Sequence, residues 1–191
     1  MIERLPARID PLNKTTWIDI YLPDDYFGSD RRYPVLYMFD GQNLFFDQQA
    51  SFGRTWPQRE ATAIIGSSMG GLMAFYAGIH HNDVFSKAAC LSPSLFLCQE
   101  EISQDFEDCA LNPDTRIYWS FGSKELPARQ RVEAEMALDE YAWSLKRRGG
   151  YGRVKIWENA AHNEESWGNQ MHEVLHFLFN DPRDLDTGQS E

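Results

Sequence analysis

The chain has 191 residues, enough for one domain with a sizeable core. Its composition, 42% hydrophobic and 14% aromatic, excludes a wholly disordered polymer. The formal net charge of -11 repels phosphate backbones and anionic headgroups, so nucleic acid and the membrane surface are excluded as expected partners. No apolar run approaches the roughly 20 residues needed to span a bilayer, and Met1-Ile2-Glu3-Arg4-Leu5-Pro6 lacks the apolar stretch of a signal peptide. A cytoplasmic location is the expectation. Cys90, Cys98 and Cys109 agree with it, because their odd number and spacing suit reduced thiols better than a disulfide framework or a zinc site.

In chain order, Thr16 to Leu22 roughly alternates apolar and polar residues and pairs naturally with Ile2 to Ile9 as an antiparallel hairpin. Pro34 to Phe39 and Ala61 to Ile65 are continuous apolar runs, the form of parallel strands buried on both faces. A helix over Leu72 to His80 follows the second run. Lys87 to Leu91 and Arg116 to Phe121 are further strands. Arg129 to Arg148 places Ala134, Leu138, Tyr141 and Leu145 on one helical stripe. After a strand over Arg153 to Trp157, Glu164 to Phe179 does the same with Trp167, Met171, Val174 and Leu178. Asn163 suits the cap of that helix, and Glu164 and Glu165 suit its positive end. Strand and helix in alternation predict an α/β fold with a mainly parallel sheet. One domain is expected over residues 1–180, with a frayed polar tail over 181–191.

The chemistry concentrates in Gly66-Ser67-Ser68-Met69-Gly70-Gly71, which leaves a buried strand and opens a helix. That is the setting of a nucleophile elbow, whose tight turn demands small residues two before and two after the nucleophile. Gly66 and Gly70 meet the demand, so Ser68 is the candidate nucleophile. A serine needs a base, and the base needs an orienting acid, in the chain order Ser, acid, His. Of five histidines, His80 and His81 end a helix and His172 and His176 lie inside one. His162 alone follows a strand and precedes a helix, where the base belongs. Glu125 stands just past the strand that runs to Phe121, and is the candidate acid. Asp114 and the carboxylates from Glu133 onward sit at the wrong ends of their elements. For the two N–H groups of an oxyanion hole, Met69 follows the nucleophile and Gln42 lies in the glycine turn Asp40-Gly41-Gln42-Asn43. Asp40, Gly41 and Trp167 are the candidate substrate-binding residues. Trp56 and Phe96 are also candidates for the acyl pocket, with buried packing as the competing role for all three aromatic residues. No pattern calls for a metal or a cofactor.

Several stretches together resemble the esterase family related to esterase D and enterochelin esterase. They are Tyr33 to Phe45, Arg59-Glu60 with Ala63 to Leu72, Gly122-Ser123-Lys124-Glu125, and His162 to Trp167. The resemblance runs from about Glu3 to Phe179. It implies an α/β-hydrolase-type sheet flanked by helices and the hydrolysis of small-molecule carboxylic esters, with no metal and no cofactor. The chain departs from the family in one place. Members carry a helix, a strand and a helix between the oxyanion loop and the nucleophile strand. Here only Phe46 to Glu60 intervenes, as if the ends of that segment were joined at Trp56-Pro57. The expected sheet is therefore shortened by one strand and its flanking helices. Either the gap lowers thermal stability or its exposed edge invites a homodimer through the N-terminal hairpin, or residues Ile2 to Leu22 slide across to pair with Val35 to Phe39. Two rival functions accompany ester hydrolysis: a catalytically silent homologue that serves as a binding protein, and an acyltransferase with the same triad.

Overall fold

The computed structural model describes residues 2–28, 30–31, 33, 35–38 and 62–180. Its first unit is the antiparallel hairpin of β1 (Ile2–Ile9) and β2 (Lys14–Tyr21), paired from Ile2 opposite Tyr21 to Ile9 opposite Lys14. Asn13 makes the turn in the left-handed region, with φ 47°. A bidentate Arg4–Asp19 ion pair links the strands on one face, and it holds the Asp19 carboxyl below the usual range. Both faces carry exposed apolar side chains, among them Leu5, Trp17, Ile18 and Tyr21. Among the described residues the hairpin is a sheet of its own and forms no ladder with the main one. Of the two fates expected for it, the structure does not show the slide onto the Val35 strand.

The main sheet is parallel, with strands in chain order: β3 (Val35–Met38), β4 (Thr62–Ser67), β5 (Lys87–Leu91), β6 (Arg116–Gly122) and β7 (Tyr151–Trp157). Among the described residues β3 has a neighbour on one side only. The central strands are buried on both faces, which is why they read as continuous apolar runs. Ile64, Ala88, Cys90, Ile117 and Trp119 point to one face, beneath α1 (Met69–His80), α2 (Gln99–Asp108) and α3 (Ala128–Arg147). Ala63, Ile65, Ala89, Leu91 and Tyr118 point to the other, beneath α4 (Glu164–Gly168) and α5 (Met171–Phe179). Phe75 lies at the centre of the first layer, with ring centroids 5.5 Å from Phe106, 5.5 Å from Trp119 and 5.1 Å from Tyr141. The architecture is the expected α/β sheet flanked by helices.

Several element ends differ from the sequence expectation, as do two whole elements. β4 runs on to Ser67, so the strand ends directly at Ser68. The helix α2 has no counterpart in the expectation, because only Ile102 and Phe106 of its ten residues are buried. The long helix over Glu164 to Phe179 is two helices. It breaks where Gln170, fully buried, turns inward to accept from the Ser120 hydroxyl at 2.6 Å and to donate to the Ser166 carbonyl at 3.1 Å. Asn163 caps α4, its side chain accepting from the Ser166 N–H. Buried Arg116 reaches from β6 and donates to the Phe177 and Leu178 carbonyls at the end of α5. All three cysteines are free thiols, and burial pushes the Cys90 thiol well above its ordinary pKa. Among the described residues no helix is long and apolar enough to cross a membrane.

Candidate active site

Parallel strands leave their carboxyl ends on one edge, where loops from several strands converge. Four such loops meet here. After β4, the chain turns at Ser68 with φ 55° and ψ -119°, a conformation that a non-glycine residue rarely adopts. The turn is held from three sides. The Ser68 N–H donates to the Leu91 carbonyl at 2.9 Å, and the Ser68 carbonyl accepts from the Leu72 and Ser94 N–H groups at 3.1 Å each. A side chain on Gly66 would put its Cβ 2.0 Å from the Gly70 carbonyl oxygen, so the turn closes only over hydrogen. Met69 is the first residue of α1, where helix N–H groups have no partner inside the helix.

After β6, a tight turn closed by the Glu125 N–H to the Gly122 carbonyl (3.1 Å) brings Glu125 back over the strand end. After β7, the loop to α4 is bound to that turn. The Lys124 N–H donates to the Ala160 carbonyl at 3.0 Å, and the Ser123 N–H to the Trp157 carbonyl at 2.9 Å. A Cβ on Gly122 would meet the Ala160 oxygen at 2.3 Å, so glycine permits the two loops to close on each other. Their contact places His162 between Glu125 and Ser68. His162 Nδ1 lies 2.9 Å from Glu125 Oε2, and His162 Nε2 lies 2.9 Å from Ser68 Oγ. An ionised carboxylate only accepts hydrogen bonds, so opposite an ionised Glu125 the Nδ1 would carry the proton and Nε2 would accept from the serine hydroxyl. The Glu125 side chain is 4% exposed and that of His162 46%, so the carboxylate is sheltered while the imidazole is half exposed.

The structure thus brings Ser68, His162 and Glu125 into one hydrogen-bonded line. Trp167 stands beside it, buried, with its ring edge-on to His162 at 4.9 Å and its indole N–H donated to the Ser92 hydroxyl at 2.9 Å. Its partners are therefore protein groups. Phe96 is exposed, two residues beyond Ser94. Asp40, Gly41, Gln42, Trp56 and the Trp56-Pro57 join lie outside the described residues, as does the tail from 181. The other four histidines stand apart from this line. His80 is paired with Asp105 at 2.8 Å, and His172 and His176 are exposed on α5.

The sequence reasoning missed Ser92 and Ser94. Ser92 Oγ donates to Glu125 Oε1 at 2.6 Å, and Ser94 Oγ lies 3.4 Å from Ser68 Oγ. Neither falls in a motif. Their only local sign is their place after a buried strand, in Leu91-Ser92-Pro93-Ser94.

Residues 49–178, more than half of the chain, match the family described as "Putative esterase". The chain is 25% identical over 193 aligned positions to the uncharacterized protein YbbA of Bacillus subtilis (strain 168), covering 93% of this chain and 75% of that one. Its fold is similar to that of an IroE-like serine hydrolase from Shewanella oneidensis, with a TM-score of 0.72 at 15% identity over 94% of this chain and 80% of the other. It is also similar to the enterobactin esterase FES from Shigella flexneri, with a TM-score of 0.69 at 16% identity over 94% of this chain and 58% of that one.

Proposed function

This chain belongs to the esterase family and is a carboxylic ester hydrolase, and from that premise we propose that it cleaves small-molecule esters through an acyl-enzyme formed on Ser68. Ser68 Oγ attacks the acyl carbon as His162 Nε2 takes its proton. Glu125 holds the imidazole in the required tautomer and offsets the charge that it gains. The Met69 N–H and, from the loop outside the described residues, the Gln42 N–H stabilise the tetrahedral oxyanion. Collapse releases the alcohol, protonated by His162. A water deprotonated by the same imidazole then frees the acid and restores Ser68.

The observation that carries this reading is the line Glu125 Oε2, His162 Nδ1, His162 Nε2, Ser68 Oγ, with both hydrogen bonds at 2.9 Å. The strained backbone of Ser68 supports it as well, since such rare conformations cluster at active sites. The test is labelling with a fluorophosphonate, together with turnover of p-nitrophenyl esters of graded acyl length. Ser68 is expected to label. Ser68→Ala is expected to lose about 10⁴-fold or more in kcat, while Ser67→Ala keeps much of the activity. An unlabelled chain without turnover would instead support the silent homologue.

A further inference from the structure

We propose that Ser92 is a positioning residue that fixes the carboxylate of Glu125, a proposal that rests on the reading of Ser68, His162 and Glu125 given above. Ser92 follows β5 and is buried, 1% exposed, with a left-handed φ of 45° that is uncommon for serine. Its N–H is tied to the Ser120 carbonyl at 2.7 Å. The preceding carbonyl, that of Leu91, holds the nucleophile's N–H, and the N–H of Ser94 holds the nucleophile's carbonyl. One short turn therefore grips the serine elbow by its backbone and the acid by a side chain.

The direction of the hydrogen bonds at Ser92 follows from donor chemistry. An indole N–H can only donate, so Ser92 Oγ accepts from Trp167 Nε1. Its single proton is then committed to Glu125 Oε1. That oxygen also accepts from the Gly122 N–H at 2.6 Å, which leaves Oε2 for His162 Nδ1. Two donors on one oxygen and the imidazole on the other fix the plane of a nearly buried carboxylate. Without the Ser92 proton, Oε1 keeps one donor, and the carboxylate gains freedom to turn away from Nδ1. The tautomer of His162 is then less strongly held. Ser92 itself is 1% exposed, so the loss belongs to the chemical step and not to binding.

The experiment is steady-state hydrolysis of p-nitrophenyl butyrate by the full chain and its Ser92→Ala, Trp167→Phe and Glu125→Gln variants, with the double variants on the Glu125→Gln background. Ser92→Ala is expected to lower kcat about ten- to a hundredfold, the worth of a hydrogen bond to a charged group, with KM moving less than about twofold. On the Glu125→Gln background the same change should cost less than about twofold, because both act through one carboxylate. Trp167→Phe keeps a ring beside His162 but frees the Ser92 hydroxyl, so it should show a smaller kcat loss that also disappears beside Glu125→Gln. An unchanged kcat in Ser92→Ala, or losses that multiply with Glu125→Gln, would overturn the proposal. Should Ser92→Ala fail to fold, the Trp167→Phe and Glu125→Gln pair decides by the same criterion. If Glu125→Gln is itself fully active, the acid assignment fails and this proposal falls with it. If Glu125→Gln is impaired and Ser92→Ala is not, only this proposal fails.

Discussion

Gly66 is confined to a hydrogen side chain by the carbonyl of Gly70, which would stand 2.0 Å from any Cβ. No rotamer relieves that overlap, because the obstacle is backbone. Gly66→Ala must therefore open the elbow and move Ser68 away from His162. We expect it to lose most esterase activity and fluorophosphonate labelling while keeping much of its far-ultraviolet circular dichroism, since the clash with Gly70 lies at the end of β4 and spares the rest of the sheet. Full labelling would mean that the elbow tolerates the extra carbon. At this scale the sequence was informative where a residue's role is written in its immediate neighbours. Ser68 sits between two glycines, and Glu125 and His162 each follow a strand end. Ser92 could not be read in that way. Its partners are Glu125, 33 residues on, and Trp167, 75 residues on, so only the folded chain brings its function together.

Among the elements, α2 shows how little apolar surface is needed when it is well placed. It contributes Phe106, fully buried, with its ring centroid 5.5 Å from that of Phe75 and 5.2 Å from that of Tyr141. The Arg148 guanidinium lies 5.3 Å over the same ring and donates to the Phe106 carbonyl. Removing a buried phenyl group costs about 3–5 kcal/mol. For a domain of this size each kcal/mol lowers Tm by about 2–4 °C. Phe106→Ala is therefore expected to lower Tm by roughly 10 °C while leaving kcat near normal at low temperature, as thermal scans and assays at 15 °C would record. A helix with two buried residues carries too weak a period to be read from sequence. The strands β4 to β6 were legible because burial on both faces leaves an unbroken apolar run. The break between α4 and α5 was not, because Gln170 interrupts an otherwise continuous stripe to meet Ser120, 50 residues earlier.

At the scale of the whole molecule, the hairpin and the main sheet share no ladder among the described residues. A lone two-stranded sheet is marginal in water, and this one exposes Leu5, Trp17, Ile18 and Tyr21. Amide exchange over Lys14–Tyr21 is therefore expected to be much faster than over Lys87–Leu91 in dilute protein, and slow exchange would show that the hairpin has a partner. A homodimer that buries these side chains is one such partner, and concentration-dependent sedimentation would reveal it. The candidate site is arranged otherwise: each of its three groups comes from β4 or later, yet 94 residues separate Ser68 from His162. That spacing has a consequence during synthesis. At about 5–20 residues per second, Ser68 is synthesised roughly 5 to 20 s before His162. The helices that bury Trp167 and accept the grip of Arg116 come later still. On the proposed mechanism, a growing chain thus carries its serine without an imidazole partner, and hydrolysis is expected only after the final turns of helix have docked.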